Sequence, residues 1–154
     1  MKAKATPDLY FFVFIALSFL FHYLCPVLTV ISFSWVGIAF IIIGAVIVAL
    51  TNSILLKKRT SVNPFDSPSS LITSGPFRWS RNPIYLGMTL ALLGIAILLG
   101  SLSPFIFPLV FTIIIDRSFI QNEESKLEKL FGKEYLAYKK RVNRWYGRRK
   151  ITGI

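Results

Sequence analysis

Apolar residues gather into four blocks along the chain, and polar residues occupy the segments between them. The blocks cover residues 9–31, 35–56, 84–102 and 104–120. A helix that crosses a bilayer needs about 20 consecutive apolar residues. The pattern therefore predicts an all-α fold, a polytopic membrane helix bundle of four transmembrane helices that form a single membrane domain over residues 1–154.

The fourth block is unusual because charged residues interrupt it. Only 12 residues, Pro104 to Ile115, precede Asp116 and Arg117. Such a stretch is about 18 Å long as a helix, which is short of the roughly 30 Å hydrocarbon core. We expect the helix to continue through Ile120, which would place Asp116 and Arg117 near an interface or inside the bundle.

Two longer polar segments flank the later blocks. Residues 57–83 are rich in Ser, Pro and Asn, which predicts a loop without a long helix. In residues 121–146 apolar side chains recur mostly at spacings of three and four, which predicts an amphipathic helix that Gly132 interrupts. The opposite face of this helix is rich in Lys and Arg, as expected for a helix that lies on anionic membrane lipids.

The distribution of charge predicts how the bundle is oriented. The chain has 18 Lys and Arg against 7 Asp and Glu, a net charge of +11, yet segments 32–34 and 101–103 carry no charge. The positive-inside rule then places both termini and the 57–83 loop on the cytoplasmic side of the cell (inner) membrane. Since a membrane surface accounts for the positive charge, we expect membrane lipids as partners and no nucleic acid.

Composition also limits the chemistry that the chain can perform. With 54% hydrophobic and 16% charged residues, it does not suit a Rossmann or P-loop enzyme with a water-facing surface. His22 and Cys25 are its only His and Cys, and both lie in an apolar block. A disulfide framework and a Cys/His metal cluster are therefore excluded, and no metal is predicted.

Two polar stretches carry the candidate chemistry, at residues 73–87 and 116–124. Structural roles account for part of them, because Asn82 and Pro83 suit a helix N-terminus and Glu123 and Glu124 suit a first helical turn. However, the predicted topology brings arginines, a helix N-terminus and a carboxylate pair to the same membrane face. That set suits a zwitterionic or nucleotide-like ligand, since Arg can clamp a carboxylate and Glu can accept from ribose hydroxyls.

These stretches resemble a known family. Residues 73–87 resemble the Arg-His-Pro-x-Tyr-x-Gly signature of the isoprenylcysteine carboxyl methyltransferase and phospholipid methyltransferase superfamily. The residues that resemble its Glu-Glu, Phe-Gly-x-x-Tyr-x-x-Tyr and Val-x-Arg elements are Glu123, Glu124, Leu127, Phe131, Gly132, Tyr135, Tyr138, Val142 and Arg144. Both elements occur in the family's order, and the resemblance covers about residues 60–146.

The resemblance implies an integral membrane methyltransferase that uses S-adenosyl-L-methionine and modifies a lipid or lipid-like acceptor, either prenylated or with an amine headgroup. It implies cofactor-binding roles for Leu71, Ile72, Phe77, Arg81, Asn82, Pro83, Ile84, Tyr85, Gly87, Glu123 and Glu124. Gly87 and Gly94 would leave room for the cofactor or for a close helix. Arg117 lies near the position at which the isoprenylcysteine branch keeps a substrate-contacting Arg.

Two positions depart from the isoprenylcysteine branch. Asn82 stands where that branch has His, as in the phosphatidylethanolamine N-methyltransferase branch, and Phe77 replaces a common Tyr. An Asn side chain hydrogen-bonds but does not exchange protons near neutral pH, so Asn82 does not suit a general base.

Two other functions are compatible with the same residues. Membrane sterol reductases look similar around Arg-x-Pro-x-Tyr-x-Gly, which would mean a nicotinamide cofactor. The other alternative is a non-enzymatic membrane protein whose basic helix binds anionic lipid.

Overall fold

The computed structural model describes residues 6–28, 34–58 and 68–149. The helices in these ranges are α1 (Pro7–Leu24), α2 (Ser34–Lys57), α3 (Pro83–Leu99), α4 (Ile106–Ile115) and α5 (Gln121–Arg141). Short 3₁₀ turns at Gly75–Arg78 and Ser103–Phe105 precede α3 and α4, and a π-helical turn at Asp116–Ile120 joins α4 to α5. The predicted all-helical fold is confirmed for the described residues.

Proline and glycine set several of the helix ends. The first apolar block predicts a helix up to residue 31, but α1 ends at Leu24 because Pro26 cannot continue it. The helix α3 begins at Pro83, whose ring fixes a helical φ. It ends at Leu99 rather than residue 102, because Gly100 takes a left-handed φ of 69°. Residues 29–33 lie outside the described residues.

Charged residues do not end the fourth apolar helix. A continuous helical segment of 39 residues covers Ser103–Arg141 and passes through Asp116 by way of the π-helical turn. Its character changes at Gln121, since α4 contains no charged residue whereas α5 is rich in Lys and Glu. The apolar part of this segment therefore ends before α5.

Three of the described helical segments are long and apolar enough to cross a membrane: Pro7–Leu24, Ser34–Lys57 and Ser103–Arg141. The remaining apolar helix, α3 (Pro83–Leu99), is shorter at 17 residues. Large apolar side chains on α1 and α2 face outward, including Phe12 at 65% and Trp35 at 73% exposure. Such surfaces suit contact with lipid tails rather than water.

Glycines allow α2 and α3 to pack at very short range. A Cβ added to Gly87 would lie 2.6 Å from the carbonyl oxygen of Gly44, and one added to Gly94 would lie 2.6 Å from that of Gly37. The two pairs run in opposite sequence directions, so the helices are antiparallel. Small residues at this spacing let helix backbones approach closely, which is how helices associate in a bilayer.

The main core lies where α1, α3 and α4 meet and continues into the π-helical turn. Its members are apolar, and most of them are aromatic or branched: Phe14, Tyr85, Met88, Leu92, Phe107, Phe111, Ile115, Phe119 and Ile120. At the far end of α1, His22 Nδ1 lies 2.9 Å from the hydroxyl of the buried Ser101. That contact fixes the end of α1 against the turn that precedes α4.

The second core lies under α5. Tyr135, Tyr138 and Val142 are buried, and they pack with Leu71, Phe77, Leu127 and Phe131. Gly132 interrupts the helix with a φ of 47°, a conformation that favours glycine because it has no Cβ. As a result, the second half of α5 packs against the segment that precedes α3.

Candidate functional site

The start of α3 and the start of α5 meet in a polar site. Tyr85 is 6% exposed, and its hydroxyl donates to Oε1 of Glu123 at 2.5 Å. Both residues come from the two stretches in which the sequence predicts cofactor contacts. The structure therefore brings Tyr85 and Glu123 together, with the Glu123 side chain half-buried beside the start of α3.

A cluster of four charged residues lies next to this pair. Glu124, 4% exposed, accepts from Arg81 at 3.1 Å and from Arg144 at 3.2 and 2.7 Å. Arg144 also donates to both carboxylate oxygens of Asp116, at 3.1 and 3.2 Å. We call Arg81, Asp116, Glu124 and Arg144 the charged cluster. Its two positive and two negative charges balance, which is how buried charges are stabilised.

The two adjacent glutamates therefore have different surroundings. Glu123 accepts from a tyrosine hydroxyl, whereas Glu124 is bound on both sides by guanidinium groups. Successive residues on an α-helix point about 100° apart, so neighbours in sequence rarely face the same group. The charge of Glu124 is therefore balanced by two guanidinium groups, whereas Glu123 accepts from a neutral hydroxyl.

Asn82 takes the N-cap position of α3, but its side chain does not cap the helix. Instead its Nδ2 donates to the backbone carbonyl of Arg144 at 3.2 Å. Ser80 supports this arrangement, because its hydroxyl accepts from the Asn82 amide at 3.0 Å and donates to the same Arg144 carbonyl at 3.3 Å. Asn82 is 7% exposed, so its amide is fixed within the site.

The chain after α5 turns back onto the segment before α3. The Arg81 amide donates to the Asn143 carbonyl at 3.1 Å, and the Gly147 amide donates to the Trp79 carbonyl at 2.7 Å. An isolated bridge between Val142 and Arg148 closes the turn. These backbone bonds hold Arg144 close to Arg81 and Asn82.

The apolar residues predicted to border the cofactor lie beneath this turn. Leu71 and Phe77 pack against the α5 tyrosines, and Ile72 is 8% exposed. The Tyr138 hydroxyl donates to the carbonyl of Phe77 at 2.7 Å. These contacts attach the 68–82 segment to α5 and bring Leu71 and Phe77 to the side of α5 that is buried.

Other predicted residues lie elsewhere. Gly87 faces α2 through the short contact with Gly44, which corresponds to the close-helix alternative. Pro83 is buried at the start of α3, and Ile84 packs against the main core. Arg117 is exposed and takes no part in the charged cluster.

Burial and hydrogen bonding shift the pKa values of Glu123 and Arg144, which both lie beyond the apolar helix α4. Burial raises the pKa of Glu123 to about 7, and the hydrogen bond from Tyr85 and the charge of Lys126 oppose that rise. The hydrogen bond to Glu124 raises the pKa of Arg144 above its ordinary value. Arg144 therefore stays charged, whereas Glu123 can change its protonation near neutral pH.

The sequence did not assign Asp116 and Arg144 to the site. In the sequence, Arg144 resembles the family's Val-x-Arg element, and Asp116 is a charge inside an apolar block. A buried or membrane-depth charge needs a partner. That requirement predicts a basic partner for Asp116, and the structure supplies Arg144 as that partner.

The apolar helices and the charged cluster define an all-helical integral membrane protein with a polar site at one end of its bundle. The sequence profile of the family described as Phospholipid methyltransferase matches residues 32–134, which is more than half of the chain. The chain therefore belongs to this family. The predicted resemblance is thereby confirmed.

Individual relatives agree with the family. The chain is 38% identical over 76 residues to the Protein-S-isoprenylcysteine O-methyltransferase of Mus musculus and 35% identical over 75 residues to that of Schizosaccharomyces pombe. Each match covers 47% of this chain but only 26% and 30% of those two proteins. An uncharacterized protein of Haemophilus influenzae is 37% identical over 62 residues, which is 40% of this chain and 98% of that protein.

Proposed function

We propose that the protein transfers a methyl group from S-adenosyl-L-methionine to a lipid or lipid-like acceptor in the membrane. The observation that carries this proposal is the contact between Tyr85 and Glu123, at the site where the family's two motifs meet. The named relatives are methyltransferases that act on isoprenylcysteine. Because this chain spans less than a third of their length, its donor and its acceptor remain proposals.

The residues at the site fit the chemical groups of the proposed cofactor. Nε and Nη1 of Arg81 are buried and make no hydrogen bond of good geometry among the described residues, and the Tyr135 hydroxyl beside them is likewise unpaired. Unpaired guanidinium donors suit a carboxylate, which the methionine part of the cofactor carries. The ionised Glu123 suits hydroxyl donors such as those of a ribose.

We assign different roles to the predicted residues on this basis. Glu123 accepts from the cofactor, Tyr85 orients the Glu123 carboxylate, and Asn82 offers an amide whose direction is fixed. Arg81 binds the anionic end. The apolar border consists of Leu71, Ile72, Phe77, Pro83 and Ile84, while Glu124 holds the two arginines and Gly87 holds α3 against α2.

Methyl transfer of this kind requires little acid–base catalysis by protein side chains. The cofactor supplies an already activated methyl group when bound, so the protein must align donor and acceptor and keep water out. Asn82 does not exchange protons near neutral pH. An acceptor carboxylate would react as the anion without a base, and an acceptor amine would have to arrive neutral.

The proposed topology leads the two reactants to the site by different routes. With both termini and the 57–83 loop in the cytoplasm, the starts of α3 and α5 face the cytoplasm, from which a water-soluble cofactor enters. An amphiphilic acceptor reaches the same end from the bilayer between the apolar helices. The inner membrane is proposed on the same distribution of positive charge.

Direct binding and product analysis test the function together. We expect S-adenosyl-L-methionine and S-adenosylhomocysteine to raise the unfolding temperature of the detergent-solubilised protein, since a ligand at a hundredfold excess over Kd adds about 2.7 kcal/mol of stability. We also expect label from isotopic S-adenosyl-L-methionine to appear in membrane lipid extracts, with products identified by mass spectrometry. The Glu123→Gln protein serves as the matched control.

The opposite results would point to the alternatives. A thermal shift with NADPH and none with millimolar S-adenosyl-L-methionine would favour a nicotinamide-dependent reductase. Binding of anionic lipid without turnover, unchanged in the Glu123→Gln protein, would favour a non-enzymatic membrane protein.

A further inference from the structure

Arg144 contacts three parts of the fold that meet at the site. Its guanidinium group donates to Asp116, at the end of α4, and to Glu124, in the first turn of α5. Its backbone carbonyl accepts from the side chain of Asn82, at the start of α3. One residue therefore fixes the relative positions of three helix ends.

The carbonyl of Arg144 determines how the Asn82 amide is turned. Nδ2 of Asn82 donates to this carbonyl at 3.2 Å. Since the amide is planar, that bond also sets the direction of Oδ1, the acceptor that remains for a ligand. The Ser80 hydroxyl donates to the same carbonyl at 3.3 Å and accepts from the Asn82 backbone amide at 3.0 Å.

The position of that carbonyl is itself fixed from both sides. Backbone bonds of the neighbouring residues join Asn143 to Arg81 and Gly147 to Trp79. The guanidinium group is held by two carboxylates, each through two hydrogen bonds. Such paired geometry requires the planar fork of Arg, which Lys does not provide.

We propose that Arg144 is a positioning residue for methyl transfer, and that it acts by fixing the carbonyl that orients Asn82. This inference rests on the proposed function, because Asn82 belongs to the proposed cofactor site. Arg144 itself does not contact the cofactor in this arrangement. Its ion pairs with Asp116 and Glu124 fix the Arg144 backbone relative to α4 and α5, and that backbone orients the Asn82 amide at the start of α3.

The inference requires Arg144 and Asn82 to contribute to cofactor binding through one shared contact. If Arg144 supports binding through Asn82, then removing Asn82 also removes the benefit of Arg144. Replacing both residues should cost no more than replacing the more sensitive one. Independent contributions would instead multiply.

A double-mutant cycle measures this coupling. The Kd of S-adenosyl-L-methionine is determined by calorimetry for the parent, Asn82→Ala, Arg144→Gln and the combination of both substitutions. Each single substitution should weaken binding roughly 3- to 10-fold, as expected for a hydrogen bond of ordinary strength. The Kd of the doubly substituted protein should lie within about twofold of the Kd of the weaker-binding single variant, because both substitutions act on the contact between Asn82 and the Arg144 carbonyl.

Two further variants separate positioning from general stability. Arg144→Lys keeps the charge but loses the fork, so it should bind as weakly as Arg144→Gln. Lys139→Gln removes an ion pair of α5 that is about 40% exposed and contacts Glu128, and it should leave Kd unchanged. If Arg144→Gln does not fold, Ser80→Ala takes its place in the cycle, since Ser80 contacts the same carbonyl.

The outcomes distinguish this inference from the function on which it rests. The positioning role alone would be overturned if the losses of affinity multiplied in the doubly substituted protein. It would also be overturned if Arg144→Lys bound S-adenosyl-L-methionine as tightly as the parent. No binding of S-adenosyl-L-methionine by the folded parent would overturn the proposed function and this inference with it. Coupled losses with an unchanged Lys139→Gln control support both.

Discussion

The hydroxyl of Tyr85, on α3, donates to the carboxylate of Glu123, on α5, and the two residues are 38 positions apart in sequence. This bond occupies one oxygen of Glu123 and holds the carboxylate against the start of α3. The neighbouring Glu124 turns away from Tyr85 to two arginines. The two adjacent acids therefore have different partners, a tyrosine hydroxyl for Glu123 and two guanidinium groups for Glu124.

We predict that Glu123→Gln weakens the binding of S-adenosyl-L-methionine by roughly 10- to 150-fold, because a hydrogen bond to a charged group contributes about 1.5–3 kcal/mol. Gln keeps the shape and one acceptor, so the fold should persist. Calorimetry gives the Kd of both proteins, and Glu134→Gln, at an exposed position of α5, is the control. Equal affinities in all three proteins would remove Glu123 from the site.

We predict that cofactor affinity rises with pH between about 6 and 8, because the pKa of Glu123 is raised to about 7. Below that value the carboxyl is protonated and no longer accepts as an anion; above it the anion is fully present. The Kd of the parent should change several-fold over this range. The Glu123→Gln protein, which cannot titrate there, should show only the ligand's own dependence, and the same slope in both proteins would contradict the assignment.

We predict that Glu124→Gln acts on stability rather than on ligand recognition. It leaves Arg81, whose side chain is 7% exposed, and Arg144 without their shared anion. Breaking a buried ion pair from one side costs about 3–5 kcal/mol. The free energy of unfolding in detergent should fall by that amount. Glu128→Gln, which breaks the half-exposed pair with Lys139, should lower it by at most about 1 kcal/mol. Comparable shifts in both variants would mean that the charged cluster is not structural.

We predict that Gly94→Ala destabilises the bundle by about 1–3 kcal/mol, because the added methyl group must force packed helices apart. Its Cβ would lie 2.6 Å from the carbonyl oxygen of Gly37 and 2.9 Å from the amide nitrogen of Ile41. The unfolding midpoint measures the effect. Ala45→Val, on the exposed side of α2, adds volume without such a contact and should change little. Equal midpoints for parent and Gly94→Ala would contradict the close helix contact.

We predict that Ser34 and Leu102 are accessible only from outside the cell, because the segments around them carry no charge. Leu102 is 44% exposed and suits labelling, whereas the adjacent Ser101 is fully buried. Single cysteines at Ser34 or Leu102, in a Cys25→Ser background, should react with a membrane-impermeant reagent added to intact cells. Lys58→Cys should react only after permeabilisation, and the reverse pattern would invert the topology.

Much of the fold followed from local patterns. Apolar blocks predict helices because each segment buries or exposes its side chains according to its own composition. Pro83 and Gly132 act through the backbone of their own segment, so their effects on α3 and α5 could be recognised in sequence. The pattern did not predict that α1 ends at Leu24, because the apolar block continues past Pro26.

The site was predicted only in part, since its details depend on how distant segments dock. The two motifs indicated that Tyr85 and Glu123 belong together. They could not indicate that Glu124 faces the arginines, because that depends on the rotation of α5 against α3. The pairing of Asp116 with Arg144 depends on a turn beyond α5, whose direction is set by backbone bonds to residues 79 and 81.

The turn beyond α5 has a consequence for the order in which the protein matures. Asn82 and Arg144 are 62 residues apart, so a growing chain inserts its apolar helices well before it can close this contact. Insertion of helices and their later association are separable steps in a bilayer. A ribosome-bound chain that ends before Arg144 would hold Glu124 and Asp116 without their guanidinium partner. The charged cluster and the Asn82 contact can therefore form only after synthesis has passed Arg144.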